Sequence, residues 1–265
     1  MHKDMYVSAS GHIAAQKRLD TIANNLANIN TPGFKSDQLV FESYLANAKD
    51  AAPQGAAVSQ TSQSDYVMVA DQYTDFTQGV VKTTENPLDV AIDGEGFFSV
   101  MTSQGEMYTR NGAFKIGQNG ELVTSDGHIV LDDQNRAISV RDGTVTIDED
   151  GSVWVGNESG QADTSGTPME QGSYGKLAGK LKVVSFPKSV SISKEGSGLY
   201  KASDPSAAVP AGEAKVMQGS MEQSNVNMIG QMTELIKNQR LAETYQKAVT
   251  ESDNMTSTLL MQVGR

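Results

Sequence analysis

The sequence predicts an α+β protein, in which an all-β central module of hairpins lies between N- and C-terminal helices that pair as a coiled-coil-like domain. Apolar residues spaced by three and four at both ends of the chain predict the helices. Between them, short β-branched and aromatic runs separated by Asn-Gly and Asp-Gly dipeptides predict the hairpins. These patterns give four parts: the N-terminal helix in residues 1–34, a linker and extended segment in 35–74, a β-rich domain in 75–215 and the C-terminal helix in 216–265.

The first helix is predicted over residues 4–29. Its stripe contains one glutamine among apolar residues, namely Met5, Ala9, Ile13, Gln16, Leu19, Ile22, Leu26 and Ile29. Three asparagines, Asn24, Asn25 and Asn28, share one side near its end. Because an amide inside a helix competes for backbone partners, we expect these amides to have fixed partners. The sequence Asn30-Thr-Pro-Gly33 then predicts the end of the helix and a turn, since proline disfavours helical geometry at the residue before it.

The stretch after this turn has weaker patterns. A short apolar cluster lies between Val40 and Leu45, and residues 47–64 are rich in Ala, Gln and Ser, as is typical of a linker. Tyr66 begins a run that indicates extended structure.

The β-rich domain is predicted from eight short runs. They are Asp89–Ile92, Gly96–Met101, Met107–Arg110, Glu121–Thr124, His128–Leu131, Thr144–Ile147, Val153–Val155 and Leu177–Phe186. Turn signals accompany them at Asn111-Gly112, Asn119-Gly120, Asp126-Gly127, Asp142-Gly143 and Asp150-Gly151. Residues 157–175, rich in Gly, Ser and Thr, are predicted to form a mobile excursion within this domain.

The last helix is predicted from Ser224 to Val263, with no proline to interrupt it. Its stripe is Met228, Met232, Leu235, Gln239, Ala242, Tyr245, Val249, Ser252, Thr256, Leu259 and Val263. Ser224 or Asn225 can cap its start. A stripe broken by polar residues is too thin for a well-buried core helix, so this helix is expected to need another helix beside it.

The negative charge of the chain is confined to its middle. The net charge is −11, whereas residues 1–30 carry +1 and residues 221–265 carry −1, so the middle alone carries −11. This distribution argues against binding of nucleic acid or anionic membranes there. The nearly neutral ends can pack against copies of themselves without strong charge repulsion.

The residues needed for catalysis or metal binding are not arranged in any recognisable pattern. The three histidines, His2, His12 and His128, are scattered, and the chain has no cysteine. Residues 148–151 resemble part of a calcium loop, but the flanking ligand positions do not fit, which favours an acidic turn. We therefore predict no enzyme activity and no catalytic, cofactor or metal site. Neither a transmembrane span nor a cleaved signal peptide is predicted.

Four stretches, in this order, resemble the bacterial flagellar basal-body rod and hook family. The first is Ile22-Ala-Asn-Asn-Leu-Ala-Asn-Ile-Asn-Thr-Pro-Gly-Phe-Lys35, the N-terminal signature of that family. The others are Asn86-Pro-Leu-Asp-Val-Ala-Ile-Asp-Gly-Glu-Gly-Phe-Phe98, then Tyr108–Phe114 with Leu122–Gly127, and Gln218–Asn227 leading into the last helix. The resemblance covers most of the chain, and its terminal motifs are highly specific.

The resemblance implies a structural subunit of the rod that crosses the periplasm in the flagellar basal body. Such a subunit is exported through the flagellar type III apparatus without a cleaved signal peptide. It assembles helically through its terminal helices, with copies of itself and other rod proteins, to transmit torque and enclose the export channel. No nucleic acid and no small-molecule substrate are implied.

Within this interpretation, the residues predicted to pack between subunits are Ile13, Leu26, Met232, Leu235 and Leu259, with Asn24, Asn25, Asn28 and Asn225 making amide contacts between helices. The hypothesis is that the terminal helices are marginal alone and become ordered when neighbouring copies complete the packing. The alternatives are a distal rod or hook subunit of the same family, a non-flagellar tube-forming or adhesin-like coiled-coil protein, and a secreted enzyme or carbohydrate-binding β domain. The single Trp154 and the few aromatic residues disfavour the last of these.

Overall fold

The computed structural model describes residues 2–46, 64–141, 143–156, 175–187, 189–212 and 214–263. The fold is α+β, as predicted, with a helix at each end of the chain and antiparallel strands between them. The chain forms two compact units. The helical unit contains Met1–Asn28, Ser36–Asp75 and Val226–Arg265, and the β unit contains Ile29–Lys35 and Phe76–Asn225.

Two helices and one hairpin make up the helical unit. They are α1 (His2–Ala27), β1 (Asp37–Ala46), β2 (Ser64–Thr74) and α2 (Met228–Val263). Strands β1 and β2 pair antiparallel with a bulge after Val40, in a stretch where the sequence predicted a linker and extended segment. Pairing supplies each strand with the backbone partners that its own residues cannot provide, so a sequence with weak local signals still forms a hairpin. Most of the predicted linker, residues 47–63, lies outside the described residues.

The start of α2 differs from the prediction by four residues. Asn227, rather than Ser224 or Asn225, caps the helix: its Oδ1 accepts the Gly230 N–H at 3.0 Å, and its carbonyl accepts the Gln231 N–H at 2.9 Å. Asparagine is well suited to this role because its side chain satisfies an amide that lacks a partner within the helix. Neither helix, over its described length, has the apolar content that a membrane span requires.

The β unit contains many short strands. They are β3 (Val81–Thr83), β4 (Val90–Asp93), β5 (Phe97–Thr102), β6 (Gly105–Thr109), β7 (Phe114–Ile116), β8 (Leu122–Thr124), β9 (Ile129–Val130), β10 (Thr144–Ile147), β11 (Ser152–Gly156), β12 (Lys176–Lys180), β13 (Val183–Ser185), β14 (Ile192–Gly196), β15 (Leu199–Ala202), β16 (Val209–Pro210), β17 (Lys215–Gln218) and β18 (Ser220–Glu222). A 3₁₀ turn occupies Pro205–Ala207. All eight predicted runs contain strand, although the run at 177–186 is divided between β12 and β13. The predicted excursion at 157–175 lies outside the described residues except for Gly175.

Among the described residues, the largest sheet has nine strands, in the order β14-β15-β6-β5-β9-β8-β7, with β13 pairing to both β5 and β16. Strands β10, β11 and β12 form a second sheet, and the pairs β17-β4 and β18-β3 join residues far apart in the chain. Two clusters of buried side chains stabilise the unit. One is mainly aliphatic and contains Val90, Phe98, Leu122 and Ile138, and the other is rich in aromatic rings, including Phe97, Tyr108 and Tyr200.

Candidate assembly surface

Helices α1 and α2 contact each other through a face of α1 with very small side chains. At Gly11, an added Cβ atom would lie 2.7 Å from the Cε1 and Cζ atoms of Tyr245. Ala14 and Ala15 on the same side of α1 are buried. Close approach of the helices therefore depends on the absence of a side chain at position 11. An exposed ion pair between Arg18 and Glu234, 3.2 Å apart, adds little because water screens it.

Gly11→Ala is expected to weaken the contact between α1 and α2. Alanine raises intrinsic helix stability by about 1 kcal/mol over glycine, but the new methyl group would overlap the Tyr245 ring, and such overpacking costs about 1–3 kcal/mol. Thermal unfolding followed by circular dichroism should show no stabilisation or a net loss. The control is Gly230→Ala in α2, where the nearest atom is 3.6 Å away and the usual stabilisation is expected. An equal rise in melting temperature for both variants would contradict the proposed close contact.

The first three turns of α2 present an exposed apolar face. Met228, Ile229, Met232 and Ile236 follow steps of three and four, and their exposed fractions are 44%, 79%, 46% and 53%. This face does not coincide with the side of α2 that carries the buried residues Asn238 and Ala242. We call Met228, Ile229, Met232 and Ile236 the apolar face of α2. In soluble proteins, a contiguous exposed apolar surface of this kind indicates a contact with another molecule.

The residues predicted to pack between subunits occupy different environments. Ile13 of α1 is 61% exposed and Met232 belongs to the apolar face of α2. Leu26 and Leu235 are half-buried within the helical unit. Leu259 lies in α2, but its side chain is outside the part of the chain that the structure describes. The residues of the predicted stripe of α1 therefore do not share one environment, since Ile22 is buried and Ile13 is exposed. The reason is that α2 packs against the side of α1 with the smallest residues, not against the side with the largest.

The asparagines near the end of α1 have specific partners, but not all are those expected. Asn25 is buried, and its amide bonds both backbone groups of Asp37 at 2.9 Å, so its partner is strand β1 rather than a helix. The exposed Asn24 accepts a bond through its carbonyl from Asn28 Nδ2 at 2.9 Å. Asn225 donates from Nδ2 to the carbonyl and hydroxyl of Thr77, at 3.2 and 3.1 Å.

Residues Ile29–Lys35, which we call the strap, belong to the β unit. The Gly33 N–H donates to the Glu222 carbonyl at 2.8 Å, and the Phe34 carbonyl accepts the Asn225 N–H at 3.4 Å. Lys35 is completely buried, and its Nζ donates to the Thr77 carbonyl at 2.7 Å and to Glu222 Oε1 at 2.6 Å. The motif that ends α1 thus also supplies a charged side chain to the interior of the β unit.

Glu222 is the common partner of two buried cations. Besides Lys35, its carboxylate accepts Arg110 Nη1 at 3.2 Å and the Gly79 N–H at 2.9 Å. Arg110 also donates to the Gly94 carbonyl at 2.8 Å. Burial lowers the pKa of Arg110, and the Glu222 carboxylate acts against that shift. This cluster was not predicted, because Lys35 and Glu222 are separated by 187 positions and no local pattern links them.

Comparisons with known proteins cover both ends of the chain and its middle. Residues 5–35 match the family model of the flagella basal body rod protein. Residues 91–155 match the flagellar hook protein FlgE/F/G D1 domain. Residues 217–262 match the C-terminal model of the flagellar basal body rod FlgEFG protein. The strap residues and the apolar face of α2 therefore both lie in segments common to this family.

Full-length relatives give the same result. The flagellar basal-body rod protein FlgG of Borreliella burgdorferi is 34% identical and aligns over 96% of each chain. FlgF of Caulobacter vibrioides is 32% identical over 100% of this chain and 99% of its own, and FlgG of Bacillus subtilis is 30% identical over 98% of each. In sequence, residues 74–79, 182–186 and 194–196 favour FlgF with FlgG as the close alternative, and relatives of both names match nearly the whole chain. The chain belongs to the flagellar basal-body rod protein family.

Proposed function

We propose that this chain is an axial subunit of the flagellar rod, and that it assembles helically with copies of itself and with other rod proteins through its terminal helices. The observation that carries the proposal is the apolar face of α2, together with the exposed Ile13 of α1. Complete burial of one such side chain contributes about 1.5–3 kcal/mol. Because these side chains are already partly buried, a neighbouring subunit that covers the whole face would gain roughly twice that stabilisation.

The geometry of a rod requires a contact that repeats without closing. A head-to-tail contact between two different surfaces of one molecule gives an open helical assembly. The apolar face of α2 is one candidate surface, and the outward side of α1 around Ile13 is the other. Coiled-coil-like packing of these helices across copies would form the wall that surrounds an export channel and transmits torque. Export through the flagellar type III apparatus without a cleaved signal peptide belongs to the same proposal.

The double variant Met232→Glu, Ile236→Glu is expected to abolish assembly while the fold is kept. Both side chains are about half exposed, so the new carboxylates remain solvated in the single chain but would be desolvated between subunits. Swimming of a strain that depends on this protein measures assembly in cells, and sedimentation of the purified chain measures self-association. Circular dichroism should match that of the unmodified chain.

The matched control is Thr244→Glu, Ala248→Glu. Both residues are exposed on α2, they begin two turns beyond Ile236 on a different side of the helix, and their spacing of four and added charge equal those of the variant at 232 and 236. This control should swim and associate normally. Normal swimming of the variant at 232 and 236 would contradict the proposal, as would equal loss in the two variants.

A further inference from the structure

Exposed methionines are concentrated on α2. In the described chain, Met228, Met232, Met255 and Met261 have exposed fractions of 44%, 46%, 54% and 75%. Two methionines of the β unit, Met101 and Met217, are 40% and 41% exposed, whereas Met107 is buried. The sequence has twelve methionines and no cysteine, so thioethers are the only sulfur groups that an oxidant can reach.

Two of these thioethers lie within the apolar face of α2. Met228 and Met232 are one helical turn apart and flank Ile229, while Ile236 follows one turn later. Half of this face is therefore built from side chains that change from apolar to polar by a single two-electron oxidation. An interface of four leucines or isoleucines would not have this property.

We propose that a peroxide oxidises Met228 and Met232, and that this oxidation prevents the apolar face of α2 from binding a neighbouring subunit. The inference rests on the proposed function, because it takes that face to be a contact between subunits. In the reaction, a lone pair of the thioether sulfur attacks one oxygen of hydrogen peroxide and the O–O bond breaks. The sulfur becomes a sulfoxide, and the other oxygen takes up the transferred proton and leaves as water. Sulfur loses two electrons and the peroxide gains them.

Oxidation at these positions affects association without affecting the fold. In the single chain both side chains are nearly half exposed, so the sulfoxide oxygen is hydrated and α2 is not destabilised. Between subunits the same oxygen would lose its bound water without gaining a hydrogen-bond donor, which costs binding free energy. We expect the two sulfoxides together to weaken self-association at least tenfold.

The test uses the full-length chain treated with hydrogen peroxide and then quenched with free methionine. Peptide mass spectrometry should find Met228 and Met232 oxidised while the buried Met107 is still reduced. Sedimentation equilibrium should show weaker self-association after oxidation, and methionine sulfoxide reductase should reverse the change. Two variants are compared, each against its own untreated sample: Met228→Leu, Met232→Leu, and Met101→Leu, Met217→Leu.

The variant with leucine at 228 and 232 should show no change on oxidation, whereas the variant at 101 and 217 should weaken as the unmodified chain does. Equal weakening of both variants would overturn the inference, and so would sulfoxides at 228 and 232 that leave association unchanged. Either result leaves the proposed function intact. A different result would overturn the proposed function together with this inference: an untreated chain that does not self-associate at any concentration tested.

Discussion

Glu222→Gln is expected to lower the free energy of unfolding of the β unit by about 3–5 kcal/mol, the range observed when one partner of a buried ion pair is removed. The substitution preserves size, but it leaves Lys35 and Arg110 buried together without a carboxylate. Urea unfolding can be followed through the fluorescence of Trp154, which is the single tryptophan of the chain and lies in strand β11.

The cluster of Lys35, Arg110 and Glu222 also predicts which substitution lowers stability more. Lys35→Met removes one of the two cations and leaves Arg110 and Glu222 as a balanced pair, while the Thr77 carbonyl loses the Lys35 ammonium but still accepts from Asn225 Nδ2. Its cost should therefore be smaller than that of Glu222→Gln, about 1–3 kcal/mol. The control is Glu149→Gln, which breaks an exposed ion pair with Lys215 and should change stability little. A Glu222→Gln variant as stable as Lys35→Met would show that the two cations do not depend on one carboxylate.

Gly33→Ala is expected to destabilise the β unit by about 2–5 kcal/mol, as the sum of backbone strain and overpacking. The φ angle of Gly33 is +68°, which residues with a side chain rarely adopt. An added Cβ atom would also lie 2.4 Å from the carbonyl carbon of Arg110 and 2.5 Å from the amide nitrogen of Asn111. Because both atoms belong to the backbone, the strap itself would have to move away.

Gly198→Ala separates the two causes. Gly198 has a φ of +71°, close to that of Gly33, but no atom of the described residues lies within 4 Å of its added Cβ. This control should therefore cost only the backbone strain, about 1–2 kcal/mol. The same urea unfolding experiment measures both variants. Equal losses would mean that the strap does not need to pack against the backbone at Arg110.

Local patterns in the sequence were sufficient for the two helices and for part of the strands, but neither for β3, β7 and β14 to β18 nor for the contacts between elements. The terminal helices follow from apolar spacing, and the eight predicted strand runs follow from β-branched residues and turn dipeptides. The side of α1 that contacts α2 was not predicted, since apolar spacing gives weight to large residues such as Ile13, whereas the contact uses Gly11. Pairing of β1 with β2 depends on residues in two separate segments, and neither segment has a strong signal alone.

In the candidate site, too, individual residues were predicted but their partners were not. Met232 was predicted to pack between subunits; it is exposed on α2, and its contact with a neighbouring subunit stays a prediction. Asn25 was correctly expected to have a fixed partner, but the identity of that partner, the backbone of Asp37, depends on the direction in which the chain leaves the turn. The pairing of Lys35 with Glu222 has no counterpart in any short motif.

The position of the strap has a consequence for the order in which the chain folds. Ribosomes produce the N-terminus first, so Lys35 is made 187 residues before the carboxylate that neutralises it. Until that residue appears, two positive side chains have no buried anion to join, and the interior of the β unit cannot close around them. The β unit of a nascent chain is therefore expected to stay open until Glu222 has been translated.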